Sequence, residues 1–296
     1  VWRAGNTWGP RGPAPGHADR FFVPKQGLCG VFPLLDAPGQ TWVECDAQAL
    51  TGCAFWTRPA GWADTTDVTI EDLNVLSNLQ SAVMVGDHQG LTISHVTATG
   101  GAHGIGSFPR LTSWPTVIED RCFLSGYDAG LFLYGQTMWA SIRDLQIPVS
   151  GRDGVRLMGV NGKLEHVGIS RPPAWAETAL RILPIDDGVR LDVERVTVDN
   201  EGGATYSDSI LYTVQGPYAG TWVDVNKLVV SGAPVKNPVF RLKGFGIFGA
   251  YDKPSRFSAI NTDVWSANPT LFQADPGWVG TIEGQAVVPA APAARR

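Results

Sequence analysis

Eight residues in the middle of the chain carry the side chains best suited to act together: Glu165, Asp192, Glu194 and Asp224, with Arg143, Lys163, Trp139 and Trp222. Paired carboxylates can cleave a glycosidic bond, one protonating the leaving oxygen while its partner acts as base or nucleophile. The same acids could instead gather a cation such as Ca²⁺. Indole platforms and flanking cations suit a sugar chain, because a flat apolar face and hydrogen-bond donors are what a pyranose ring presents contacts for. Whether these residues meet depends on the elements that carry them.

Those elements form a repeat. The stretch V-T-I-E-D-L-N-V at residues 68–75 recurs as L-T-I-S-H-V-T-A at 91–98, A-S-I-R-D-L-Q-I at 140–147 and G-K-L-E-H-V-G-I at 162–169. It continues as L-D-V-E-R-V-T-V at 191–198 and V-D-V-N-K-L-V-V at 223–230, with weaker copies T-V-I-E-D-R-C-F at 116–123 and S-A-I-N-T-D-V-W at 258–265. The third position reads Ile70, Ile93, Ile118, Ile142, Leu164, Val193, Val225 and Ile260, and a second short apolar strand follows each copy. No segment keeps a helical apolar face for three turns, and Gly or Pro interrupts most windows. Strand one always recurs as strand one at a long period, which hairpins would not produce. The pattern predicts a parallel β-solenoid, in which each coil buries its apolar face only against its neighbours.

Strand alternation then sends the second and fourth positions outward. The second-position column reads Thr69, Thr92, Val117, Ser141, Lys163, Asp192, Asp224, Ala259. The fourth reads Glu71, Ser94, Glu119, Arg143, Glu165, Glu194, Asn226, Asn261. Glu119, Arg143 and Glu165 alternate in charge, but Glu165 falls beside Glu194 and Asp192 beside Asp224. Like charges at that spacing raise a pKa or require a cation. Trp222 lies outward just before Asp224, and Trp139 just ahead of Arg143. A solvated acidic face with no role is the plain alternative.

The coil pattern I-x-x-φ-x-φ, seen as I-E-D-L-N-V, resembles the right-handed parallel β-helix family of pectate lyases and phage tailspikes. F-V-P-K-Q-G at 22–27 and A-P-G-Q-T-W-V-E-C-D at 37–46 are similar to the way that family's chains lead into the first coil. The amphipathic D-D-T-x-A helix that commonly precedes it is missing. The fold class expected is all-β, a single-stranded right-handed parallel β-helix of about eight or more coils. Residues 1–20 form an extended Pro/Gly-rich arm, 21–66 leading strands, 67–275 the β-helix, and 276–296 a last strand and low-complexity tail.

By resemblance, the expected function is a tail spike or fibre component on a virion surface that binds, and could cleave, bacterial surface polysaccharide. A homotrimer or larger virion assembly is implied, with partners supplying the end caps. A secreted polysaccharide lyase or glycoside hydrolase, and a non-catalytic adhesin solenoid, are the alternatives, because one fold hosts many activities. No cofactor is expected beyond Ca²⁺ at the acidic face.

The totals narrow this further. A net charge of −5 gives no basic footprint for nucleic acid, and no apolar run is long enough for membrane insertion. Cys29, Cys45, Cys53 and Cys122 contain no CxxC pair, so zinc is disfavoured; Cys45 and Cys53 are either bridged or buried thiols. G-F-G-I-F-G at 244–249 matches a dinucleotide fingerprint without the helix that fingerprint needs, and reads as a turn. G-G-A-H-G-I-G at 100–106, Asp186-Asp187 and N-T-D at 261–263 are similar to polygalacturonase motifs but stand in reversed order, so no role is carried over. Most of the histidines (His17, His88, His95, His103, His166) read as turn or loop residues. Loop tryptophans Trp56, Trp62, Trp114 and Trp175 either stack on sugars or cover a core edge.

Overall fold

The structure, a computed structural model, describes residues 2–3, 41–45, 53–57, 66–77, 81–85, 89–107, 116–185, 189–201, 205–216, 220–232, 237–244, 255–265 and 269–287, with most side chains from Ile70 onward. Most of the arm and of the leading segment, Asp186-Asp187, most of the 244–249 motif and the tail from 288 onward lie outside the described residues. So do the side chains of Cys45, Cys53, Trp56, Trp62 and Trp114.

All described elements are strands, stacked in parallel save for one terminal hairpin as a right-handed-type β-solenoid of about six turns, slightly fewer than the repeat predicts. One ladder carries the repeat itself. Ile70 pairs in register with Ile93, Ile93 with Ile118, and Ile118 with Ile142, then onward through Leu164, Val193 and Val225. Each of these side chains is buried. A second ladder is formed by the strands that follow: Ser81–Val85, His103–Ser107, the start of Ala129–Arg143, the start of Asp153–Ser170, Thr178–Leu183, Ser209–Val214 and Phe240–Lys243.

The repeat's apolar positions are one, three, six and eight, a spacing that strict alternation would not bury. The fifth residue resolves this. Asp72, His95, Asp120, Asp144, His166, Arg195, Lys227 and Asn261 all have positive φ, between 49° and 67°. One left-handed residue turns the chain at the corner and returns positions six and eight to the interior. Asp, Asn and His tolerate this conformation better than other L-residues, so Arg195 and Lys227 are the strained members.

Two copies shift relative to the sequence pattern. Around residue 120 both Asp120 and Arg121 are left-handed, so Cys122 and Leu124 are the buried residues, and Phe123 is exposed. In the last copy Val225 pairs with Ala259 and Asn226 with Ile260. Ala259 is therefore the buried third-position residue and Ile260 points outward, one residue from the predicted register. A single-residue slip exchanges the faces of a strand; the left-handed corner at Asn261 sets the register here.

At the C-terminal end of the described residues a short hairpin follows the last coil. Trp278–Ile282 turns through Glu283 (φ 48°) and Gly284 (φ 77°) and pairs antiparallel with Gln285–Ala286. Two successive positive-φ residues make the tight hairpin turn whose twist matches its strands. Buried Trp278 donates its indole N–H to the Lys243 carbonyl at 3.0 Å, tying the hairpin to the second ladder.

Candidate functional site

The outer surface of the first ladder brings the eight sequence-selected residues together. Three lines run along it. Trp139 is in register with Asn161, and Arg190 with Trp222 and then Arg256; the Arg190 backbone N–H donates to the Asn161 side-chain oxygen at 2.7 Å, joining the two halves of the line. Beside it run Ser141, Lys163, Asp192, Asp224 and Ser258, and beyond that Glu119, Arg143, Glu165, Glu194, Asn226 and Ile260. Trp139 is 39% exposed and Trp222 48%. The Arg190 guanidinium lies 5.8 Å from the Trp222 ring centre, a cation–π contact.

The expected repulsion between Glu165 and Glu194 is relieved by Lys163. Its ammonium sits 3.0 Å from Glu165 Oε1 and 2.7 Å from Glu194 Oε2. Glu194 is consequently held below the usual carboxylate range by the hydrogen bond and charge of Lys163, and Lys163 is raised in turn, first by Glu194 and then by Glu165. A carboxyl held ionised suits a base, a nucleophile or an acceptor for sugar hydroxyls, and is unsuited to general-acid work. Arg143 pairs with Glu119 of the preceding coil and Asp224 accepts from the Ser258 hydroxyl, so neither is uncommitted. The Lys163 ammonium thus occupies the space between the two glutamates. Among the described residues no three His, Cys, Asp or Glu side chains gather as a metal site.

A second polar array lies on the second ladder, and the sequence reading missed it. Asp153 has no exposed side-chain surface, yet its Oδ2 accepts from Arg156 Nε at 2.7 Å and Arg181 Nε at 2.8 Å, and its Oδ1 from the Thr178 hydroxyl. Arg156 reaches back with both terminal nitrogens to Asp128, at 2.6 and 2.8 Å. Asp128 also meets His103 Nε2 at 3.4 Å, and His103 Nδ1 meets the Ser81 hydroxyl at 3.1 Å. In the other direction Glu177 joins Arg181 and Arg152, each at 2.8 Å. The result is one continuous chain of polar contacts from Ser81 to Arg152. Planar groups line its outer edge: Phe132 stacks on His103 at 5.0 Å, and the Arg181 guanidinium lies 4.9 Å from the Tyr212 ring centre.

Local sequence explains this assembly. The second residue of these strands is small, as at Gly154, where a Cβ would come within 2.6 Å of the Ile169 side chain. The ladder pairs Asp153 with Thr178 and Val155 with Leu180, passing over Gly154, and Asp153 and Arg156 meet on the same side. The signal was present in the chain, since R-D-G-V-R-L, E-T-A-L-R-I and N-P-V-F-R-L repeat an Arg at one strand position. His103 is a buried strand residue and no loop histidine, whereas His95 and His166 occupy the corner.

Ser81, His103 and Asp128 have the order of a nucleophile, base and orienting acid. Ser81 is only 1% exposed, however, and Asp128 is committed to Arg156. Asp128 is held far below the ordinary carboxylate range, by the His103 hydrogen bond first and Arg156 after it. This array is a mostly buried, internally paired scaffold centred on Asp153, and the first-ladder face is the more open one.

No protein-family model, curated protein or solved structure matches the chain.

Proposed function

We propose that the chain is a polysaccharide-recognising β-solenoid of the tail spike or fibre type, acting at a virion or extracellular surface. The observation that carries this reading is the line Trp139–Asn161–Arg190–Trp222. It sets two exposed indoles on one open face three coils apart, roughly 14 Å at the ~4.8 Å spacing of stacked strands. An extended polymer lying along the solenoid would meet both rings, with the Asn161 amide and the Arg190 guanidinium between them. Asp192, Glu194, Glu165, Lys163, Arg143 and Asp224 then provide acceptors and donors for hydroxyls at the edge of the track.

Binding is the core of this proposal, and cleavage is its further possibility, with Glu165 and Glu194 both engaged by Lys163. Assembly into a homotrimer or larger virion structure belongs to the same reading. It is supported by exposed Ile260, Trp265 and Val279 toward the C-terminal end of the solenoid.

The test is affinity electrophoresis through gels containing bacterial lipopolysaccharide O-chains, capsular polysaccharides, alginate or polygalacturonate. Retardation by at least one polymer is expected, with a loss of about tenfold or more in the Trp139→Ala/Trp222→Ala double variant, two aromatic contacts being removed. Unchanged retardation in that variant would refute the site. A monomer by light scattering would refute the assembly.

A further inference from the structure

We infer that the corner bearing Tyr127 and Trp175 is a second, separate saccharide-contact site that takes a pyranose ring; this rests on the reading of the chain as a polysaccharide binder. The two rings stack on each other with centres 5.2 Å apart and planes 28° from parallel. They remain 65% and 51% exposed. Aromatic residues that serve to cover a core edge are buried by doing so, and these are not.

The backbone under the rings is fixed from both sides. Tyr127 donates its N–H to the Gly101 carbonyl at 2.7 Å and accepts at its own carbonyl from Arg152 at 2.9 Å. Ala176, next to Trp175, accepts from both the N–H and the hydroxyl of Ser207 at 2.9 Å. Gly151 lies between them, where a Cβ would stand 2.2 Å from the Gly126 carbonyl oxygen and 2.7 Å from that of Tyr127. Only glycine lets the coils close at this point. The platform is therefore built before any ligand arrives, which removes part of the ordering entropy that binding must otherwise overcome.

The rim supplies the polar half of sugar recognition. Arg152 Nε holds Glu177 Oε1 at 2.8 Å, and Arg181 holds Glu177 Oε2 at 2.8 Å. The Arg152 side chain is half-exposed, and a guanidinium engaged through one nitrogen keeps further N–H donors. A flat aromatic face beside fixed donors and acceptors is the chemistry that matches a pyranose: C–H groups on one face, hydroxyls around the edge. The buried ladder, which ends at Arg152, would then hold the rim in place from beneath.

The experiment is oxidation of the intact protein by N-bromosuccinimide, with peptide mapping of Trp175 and Trp222. It is run free and in saturating O-chain, capsular polysaccharide, alginate or polygalacturonate. Protection of Trp175, together with an affinity loss of about three- to tenfold in Trp175→Ala that Trp175→Phe restores, is the expected result. If Trp222 is protected and Trp175 is oxidised as in the free protein, the second site is wrong and the first reading stands. If Trp175 alone is protected, the second site stands and the Trp139–Trp222 track fails. Protection of neither by any of the polymers overturns both.

Discussion

Arg156 grips Asp128 of the preceding coil through both terminal nitrogens, at 2.6 and 2.8 Å, while its Nε holds Asp153 in its own coil. One guanidinium thus ties two coils together across a mostly buried face. Removing one member of a buried ion pair strands the other charge, at a typical cost of about 3–5 kcal/mol. Asp153→Asn, which takes the shared carboxylate from Arg156 and Arg181 and leaves them Asp128 and Glu177 as partners, is expected to lower the unfolding free energy in urea by up to about 3 kcal/mol. Glu165→Gln on the open face is expected to change it little. Equal effects would show that the second-ladder array is not a scaffold.

Asp128 links that scaffold to pH. Its folded pKa lies below its unfolded value, so the stability it contributes is fully present above about pH 4 and is lost as pH falls toward the folded value. The wild-type protein should lose stability on acidification below about pH 4 more steeply than Asp128→Asn, as read by thermal unfolding across pH 2–6. Parallel profiles would remove Asp128 from the account.

Lys163 should govern the glutamates that flank it. In Lys163→Met the hydrogen bond and charge that do most to depress Glu194 are gone, leaving only the weaker influence of His166 and Arg195. The Glu194 carboxyl is expected to titrate at higher pH than in the wild type by NMR, with little change in unfolding temperature, because exposed pairs contribute little to stability. A downward or absent shift would mean that the lysine is not the cause.

Cys122 is buried, and burial pushes its thiol up to about 11. The thiolate is the reactive form. Iodoacetamide at pH 8 is therefore expected to leave Cys122 unmodified in the folded protein and to label it once urea has unfolded the chain, as followed by peptide mapping. Rapid labelling of the native protein would contradict the position assigned to it.

The left-handed corner gives a stabilising substitution. Lys227 holds φ 67°, a conformation costing an L-residue without a short polar side chain roughly 1–2 kcal/mol. Lys227→Asn is expected to raise the melting temperature. The corresponding change Asn261→Lys should lower it.

How much was legible follows from what each pattern encodes. The solenoid was legible because burial of Ile70, Ile93, Ile118, Ile142, Leu164, Val193 and Val225 demands one apolar residue per coil, and that demand survives variable loop length. The gathering of Glu165, Glu194, Asp192 and Asp224 with Lys163 was legible for the same reason, since parallel in-register stacking turns equal repeat positions into neighbours. The slip at Ala259 was not, because Ile260 is the more apolar residue and only the corner at Asn261 reveals the frame.

The sequence by itself determined the repeat, the inward columns and the outward face on which Trp139 and Trp222 stand, all consequences of period and alternation. The tertiary structure alone decided what the charges do there. Lys163 bridges the two glutamates instead of leaving them to repel, and Asp153, Arg156, Arg181 and Asp128 interlock on the other ladder. Ion pairing depends on side-chain reach and on local breaks in strand alternation, such as the one beside Gly154, and neither is written in the spacing of the apolar residues.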